Sequence, residues 1–198
     1  MEHKHFFSEL PDVYKEDYTI DAQNKKTILI LNIVATVIGI GLMTAFYFTA
    51  KSMGLIGLSR GLLIPVLIFF AAYIAYVILH ELTHGAAYKI YTKEKLTFGV
   101  SLTVAFCGVP SLYVKKKAAL VAVLAPFTVF TAIFGIPLFF IKDPTAFLIV
   151  SWLFAVHLAG CVGDLYGAFI LIFRYKGKPV IVNDTGPKQT YYLPDEKD

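Results

Sequence analysis

The stretch GLLIPVLIFFAAYIAYVILHELTHGAAY, residues 61–88, decides the fold. It contains no Lys or Arg, and it is longer than the roughly 20 residues that cross a hydrocarbon core at 1.5 Å per residue. In lipid each backbone N–H and C=O must be satisfied within its own segment, so such a run must be a helix. Near its end stands His80-Glu81-Leu82-Thr83-His84. Ionisable groups in that setting cost several kcal/mol unless they are paired or bound, so the five residues call for a functional explanation.

Working outward, three more apolar runs lack Lys and Arg: 27–50, 118–141 and 145–173. The first begins too late and runs too long for a cleaved signal, so it reads as a retained span, a plain anchor carrying Asn32. Counted on alternate sides of four spans, Lys and Arg fall fifteen against three. That asymmetry puts both termini in the cytoplasm of a multi-pass cell-membrane protein. Composition agrees: 57% of residues are hydrophobic and 16% charged, and mean hydropathy is +0.67. A soluble globular domain and a disordered chain are both excluded. The pI of about 8.9 does not imply nucleic acid, because the basic residues flank apolar runs and form no dense patch. Cys107 and Cys161 are too few for a disulfide framework and fit no CxxC ribbon, so they read as reduced and structural.

The expected fold class is an all-α membrane protein. A four-transmembrane-helix bundle spans 27–173, between a polar N-terminal segment (1–26) and a cytoplasmic tail (174–198). A short β-hairpin at about 96–114 follows the second helix. There Leu96, Phe98, Val100, Leu102, Val104 and Phe106 alternate with Thr97, Gly99, Ser101, Thr103 and Ala105, the period of a strand. Gly108-Val109-Pro110 turns the chain and Leu112-Tyr113-Val114 returns. This hairpin either caps the bundle or offers an edge that an extended peptide lengthens.

The ionisable content of the four runs is His80, Glu81, His84, His157 and Asp164. On a helix, positions i and i+4 lie about 40° apart, so His80 and His84 can reach one ion. Zinc takes neutral imidazole nitrogens, and a catalytic site wants three protein ligands and an open position. Glu81 projects beside that face, placed to take a proton from metal-activated water and deliver it to a leaving amine. The third ligand comes from the last run. Along straight helices His84 and His80 lie about 6 and 12 Å deep, Asp164 about 14 Å and His157 about 24 Å. Asp164 is therefore the expected ligand and His157 a supporting or substrate-contacting residue, with the exchange left open because Gly160 and Gly163 could bend the helix. The bland reading is a polar network tying helices together.

HExxH on one membrane helix with an Asp on a later one resembles the site-2 protease class of intramembrane zinc metalloproteases. The small size and the His157-x-x-Gly160-x-x-Gly163-Asp164 segment resemble still more the zincin-peptidase family of bacterial membrane proteins. The likeness covers about residues 61–173. It implies one Zn2+ per chain on His80, His84 and Asp164, with Glu81 as catalytic base. It also implies a three-helix core that holds the metal toward the cytosol, and a membrane-protein or peptide substrate. Two features depart from site-2 proteases: Gly163-Asp164-Leu165 stands where they carry Leu-Asp-Gly, and Ala125-Pro126-Phe127-Thr128-Val129 echoes their Gly-Pro-x-x-Asn without the Asn.

Two other functions fit the same residues: a catalytically silent zinc-binding or scaffold protein, and a small ion or proton transporter. Lys115-Lys116-Lys117 reads as a flank on anionic lipid, and His3-Lys4-His5 as a solvated start. The Gly- and Pro-containing tail reads as flexible or extended. Substrate and oligomeric state are not encoded in any motif.

Overall fold

The need to satisfy backbone groups in lipid turns the apolar runs into helices. The structure, a computed structural model, describes residues 5–54, 63–100 and 105–195. His3, Lys4, the 55–60 loop with Arg60, the first residues of the second expected span, positions 101–104 of the alternating stretch and the last three residues lie outside these. Helix α1 is Lys25–Ser52, α2 Leu63–Thr92 and α3 Lys116–Gly135, the last followed by a 3-10 turn at Pro137–Phe139. The fourth run is broken at Cys161 into α4 (Pro144–Gly160) and α5 (Val162–Phe169), which ends in a π-turn, Ile170–Arg174. Among the described residues, three helices are long and apolar enough to cross a membrane, four if the broken pair counts as one span.

The strands correct the all-α expectation. Strands β1 (Phe6–Phe7), β2 (Tyr14–Asp21), β5 (Tyr113–Lys115), β6 (Ile181–Asp184) and β7 (Lys188–Pro194) form one antiparallel sheet in the order β1-β5-β6-β7-β2. The polar N-terminal segment and the tail are thus strands of a common sheet. The hairpin is narrower than expected: β3 (Thr97–Val100) pairs with β4 (Ala105–Gly108). Tyr113–Lys115 does not return to it but pairs with β1 and β6. Past Gly108 the chain is drawn to the sheet, Val109 N–H donating to the Asp184 carbonyl at 2.7 Å.

The chain forms two units. The first comprises Met1–Ile30, Glu81–Ala125 and Gly163–Asp198; the second comprises Leu31–His80 and Pro126–Val162. In the first, the sheet closes over Ala87 and Tyr88 of α2, Ala118, Ala119 and Ala122 of α3, and Ile170 and Leu171 of the π-turn. Tyr191 of β7 is fully buried and stacks on Tyr175 at 5.4 Å. Gly186 holds the β6–β7 turn at φ 96, where a Cβ would lie 2.2 Å from the Phe106 ring. In the second unit the helices pack through aromatic contacts such as Phe46–Phe154 and Phe69–Trp152. Asp143 caps α4 by accepting from Ala146 N–H at 2.7 Å, with Pro144 at the first helical position. Helix α1 buries only Gly39 and Ala50. Large apolar side chains of α2 such as Ile64 and Ile74 are more than half exposed. Such a surface is a liability in water and costs nothing against lipid tails.

Candidate metal centre

In the first unit, His84 Nε2 lies 3.4 Å from Asp164 Oδ1, the carboxylate coming from the first turn of α5. The opposite ring nitrogen, Nδ1, is 2.9 Å from the carbonyl oxygen of Ala122 on α3. A carbonyl only accepts, so Nδ1 carries a proton and Nε2 is the ring nitrogen turned toward Asp164. The sequence explains why this carbonyl is available. In an α-helix the C=O of residue 122 would bond the N–H of residue 126. Residue 126 is Pro126, which has no N–H. A buried carbonyl deprived of its helical donor needs another, and His84 supplies it. A backbone partner on one nitrogen that orients the other is the arrangement metal-binding imidazoles use.

Around this pair, α2 is held by strands. A Cβ added to Gly85 would lie 2.9 Å from both Leu96 Cδ1 and Phe98 Cζ, so the hairpin rests directly on the helix one position beyond His84. One turn further, the Tyr88 hydroxyl donates to Asp184 Oδ2 at 2.5 Å, and Gly186 N–H donates to Asp184 Oδ1 at 2.9 Å. Burial pushes the Asp184 carboxyl up to about 6, against these two hydrogen bonds. Burial, with Glu81 and Asp184 nearby, raises the Cys107 thiol to about 12. That thiol is therefore unreactive, which agrees with a structural role. Glu81 is half-buried on the same helix.

In the second unit, whose last α2 residue is His80, the Tyr76 hydroxyl stands 3.0 Å from His80 Nδ1 and 3.0 Å from His157 Nδ1. His157 Nε2 is 3.1 Å from Thr131 Oγ1, and Cys161 Sγ is 3.6 Å from His157 Nδ1. His157 has no exposed surface. The rings of Tyr76, Phe127, Phe130, Phe134 and Phe154 surround it at centroid distances of 5.7–6.3 Å. One donor atom each from His80, His157 and Cys161 falls within 4.8 Å of the others. Depth along a straight helix would place His157 well away from the motif. The fourth run is not one straight helix, so depth counted along it does not carry across Cys161.

The structure thus pairs Asp164 with His84, and it joins His157 to His80 through Tyr76. Helix α2 carries His80, Glu81 and His84 within a little over one turn. Two imidazoles and a carboxylate are a donor set that zinc accepts. Tyr76, Pro126 and Asp184 were not anticipated. A tyrosine four residues before His80 and a proline inside an apolar helix were the available signals; nothing local marks Asp184, which arrives from the far end of the chain. Residues 73–178, just over half of the chain, match the family model described as "Putative zincin peptidase". No curated protein and no solved structure matches the chain. The matched segment contains Tyr76, both motif histidines, Glu81, Pro126, His157 and Asp164, and on that match the chain belongs to the zincin-peptidase family so described.

Proposed function

We propose that this chain is a zinc-dependent intramembrane peptidase of the site-2 protease kind, with both termini in the cytoplasm of the cell. His80, His84 and Asp164 would hold one ion per chain. The observation that carries this reading is the contact of His84 Nε2 with Asp164 Oδ1 at 3.4 Å, with His84 already anchored through Nδ1. A bound zinc supplies a Lewis acid that acidifies water and stabilises charge on a carbonyl oxygen. Glu81 takes the proton from the attacking water and returns it to the leaving amine. The substrate is a membrane-protein or peptide segment in extended form. Among the described residues β3 and β4 pair only with each other, and an extended segment added at their edge would run beside α2.

The test is cleavage of single-span membrane proteins by purified full-length chain in vesicles. Glu81→Gln should retain about one zinc per chain and lose cleavage. Undiminished cleavage by that variant would refute the mechanism. A silent zinc-binding scaffold would keep its metal and show no cleavage in either form. A small ion transporter is the reading favoured by the chain His80–Tyr76–His157–Thr131, and wild-type protein free of metal would support it.

A further inference from the structure

We propose that Tyr76 and His157 are positioning residues that fix the His80 imidazole for the metal. This deepens the zinc reading and rests on it, since His80 must be a ligand. Three contacts link four side chains: His80 Nδ1 to the Tyr76 hydroxyl at 3.0 Å, that hydroxyl to His157 Nδ1 at 3.0 Å, and His157 Nε2 to Thr131 Oγ1 at 3.1 Å. Each hydroxyl offers one proton, and each neutral imidazole one donor and one acceptor. With both imidazoles neutral, these three contacts allow two proton placements in which every donor points the same way along the run. In the first, His80 Nδ1–H donates to Tyr76, Tyr76 O–H donates to His157 Nδ1, and His157 Nε2–H donates to Thr131. This puts the His80 lone pair on Nε2. In the second every donor reverses, Tyr76 donates to His80 Nδ1, and the His80 proton sits on Nε2, where it repels a cation.

A cation at His80 Nε2 needs the lone pair there and so selects the first placement. Cys161 Sγ lies 3.6 Å from His157 Nδ1, a weak sulfur contact that is compatible with either proton direction. The five rings packed around His157 hold its plane, so its two nitrogens stay aimed at Tyr76 and Thr131. His157 then acts on His80 at one remove: it accepts the Tyr76 O–H, which leaves a lone pair of the phenol oxygen to accept the His80 N–H. The role is the one a carboxylate or carbonyl plays behind other metal-bound histidines, performed here by a tyrosine and a second imidazole.

The experiment measures zinc affinity of the full-length protein in detergent by chelator competition, together with the visible spectrum of the cobalt(II)-loaded protein. Tyr76→Phe should weaken zinc roughly 10- to 100-fold and shift the cobalt bands, the range found when partners behind ligands are removed. His157→Leu should lower affinity by a similar factor, and His157→Gln, whose amide again presents an acceptor and a donor, should recover most of it. The Tyr76→Phe/His157→Leu double variant should be no weaker than the worse single one, because both break one chain. Wild-type affinity in Tyr76→Phe overturns the proposal. So does a His157→Gln that loses zinc as fully as His80→Ala while Tyr76→Phe keeps it, which would make His157 a ligand. Wild-type protein that takes up neither zinc nor cobalt sinks the zinc reading itself.

Discussion

The two histidines of the motif sit one helical turn apart, yet they are held by different means. His84 is fixed from the backbone: Pro126 offers no N–H to the Ala122 carbonyl four residues before it, and that carbonyl accepts from the imidazole N–H. His80 is fixed from side chains, through Tyr76 to His157. The first unit also braces its histidine with strands, the hairpin on Gly85 and the Tyr88–Asp184 bond. The second surrounds its relay with aromatic rings. A backbone anchor survives most substitutions at its own position, because every residue carries a carbonyl. A side-chain relay can be broken at each link.

The comparison can be strained first at Asp184. Its carboxyl is moved from 3.8 to about 6 by burial. A raised folded pKa favours the protonated form, so the stability it confers is fully present below about pH 4 and is gone once pH passes about 6. The interval corresponds to stability on the order of 3 kcal/mol. Thermal unfolding of metal-free protein in detergent should show wild type losing that much more than Asp184→Asn between pH 4 and 7. Equal pH profiles would mean that the strand-side brace on α2 is not what burial implies.

Next comes Pro126→Ala. A restored N–H would compete for the Ala122 carbonyl. Zinc affinity should fall roughly tenfold, a loss typical of a disturbed supporting partner. The same change removes a helix-interior proline, which by itself favours the helix by up to about 3 kcal/mol. Chelator competition and apo-protein melting should therefore move in opposite directions. If affinity holds while the melting temperature rises, the proline serves only as a bend.

The smallest effect belongs to Gly85→Ala. The added methyl meets the ends of Leu96 and Phe98, side chains that can give way, so the cost should be about 1 kcal/mol, low for overpacking. Zinc content should not change. A change in the sites of peptide cleavage, read by mass spectrometry, would tie the hairpin to substrate placement; unchanged sites with reduced zinc would instead make it part of the metal support.

Much of this molecule is set by composition. Four apolar runs without Lys or Arg become helices whatever the neighbours, because no other structure satisfies the backbone in lipid. A short list of ionisable residues inside them leaves few candidates for a site, and His80, His84, Asp164 and His157 were readable on that ground. What tertiary structure decided are the meetings of distant segments. Tyr14–Asp21 and Lys188–Pro194 look like polar ends, since short strands rich in charge carry little signal until each finds the other. The contacts of Asp164 with His84 and of His157 with Tyr76 come from the two sides of a helix broken at Cys161. The carbonyl of Ala122 depends on a missing hydrogen bond, and neither pattern nor propensity records a bond that is not made.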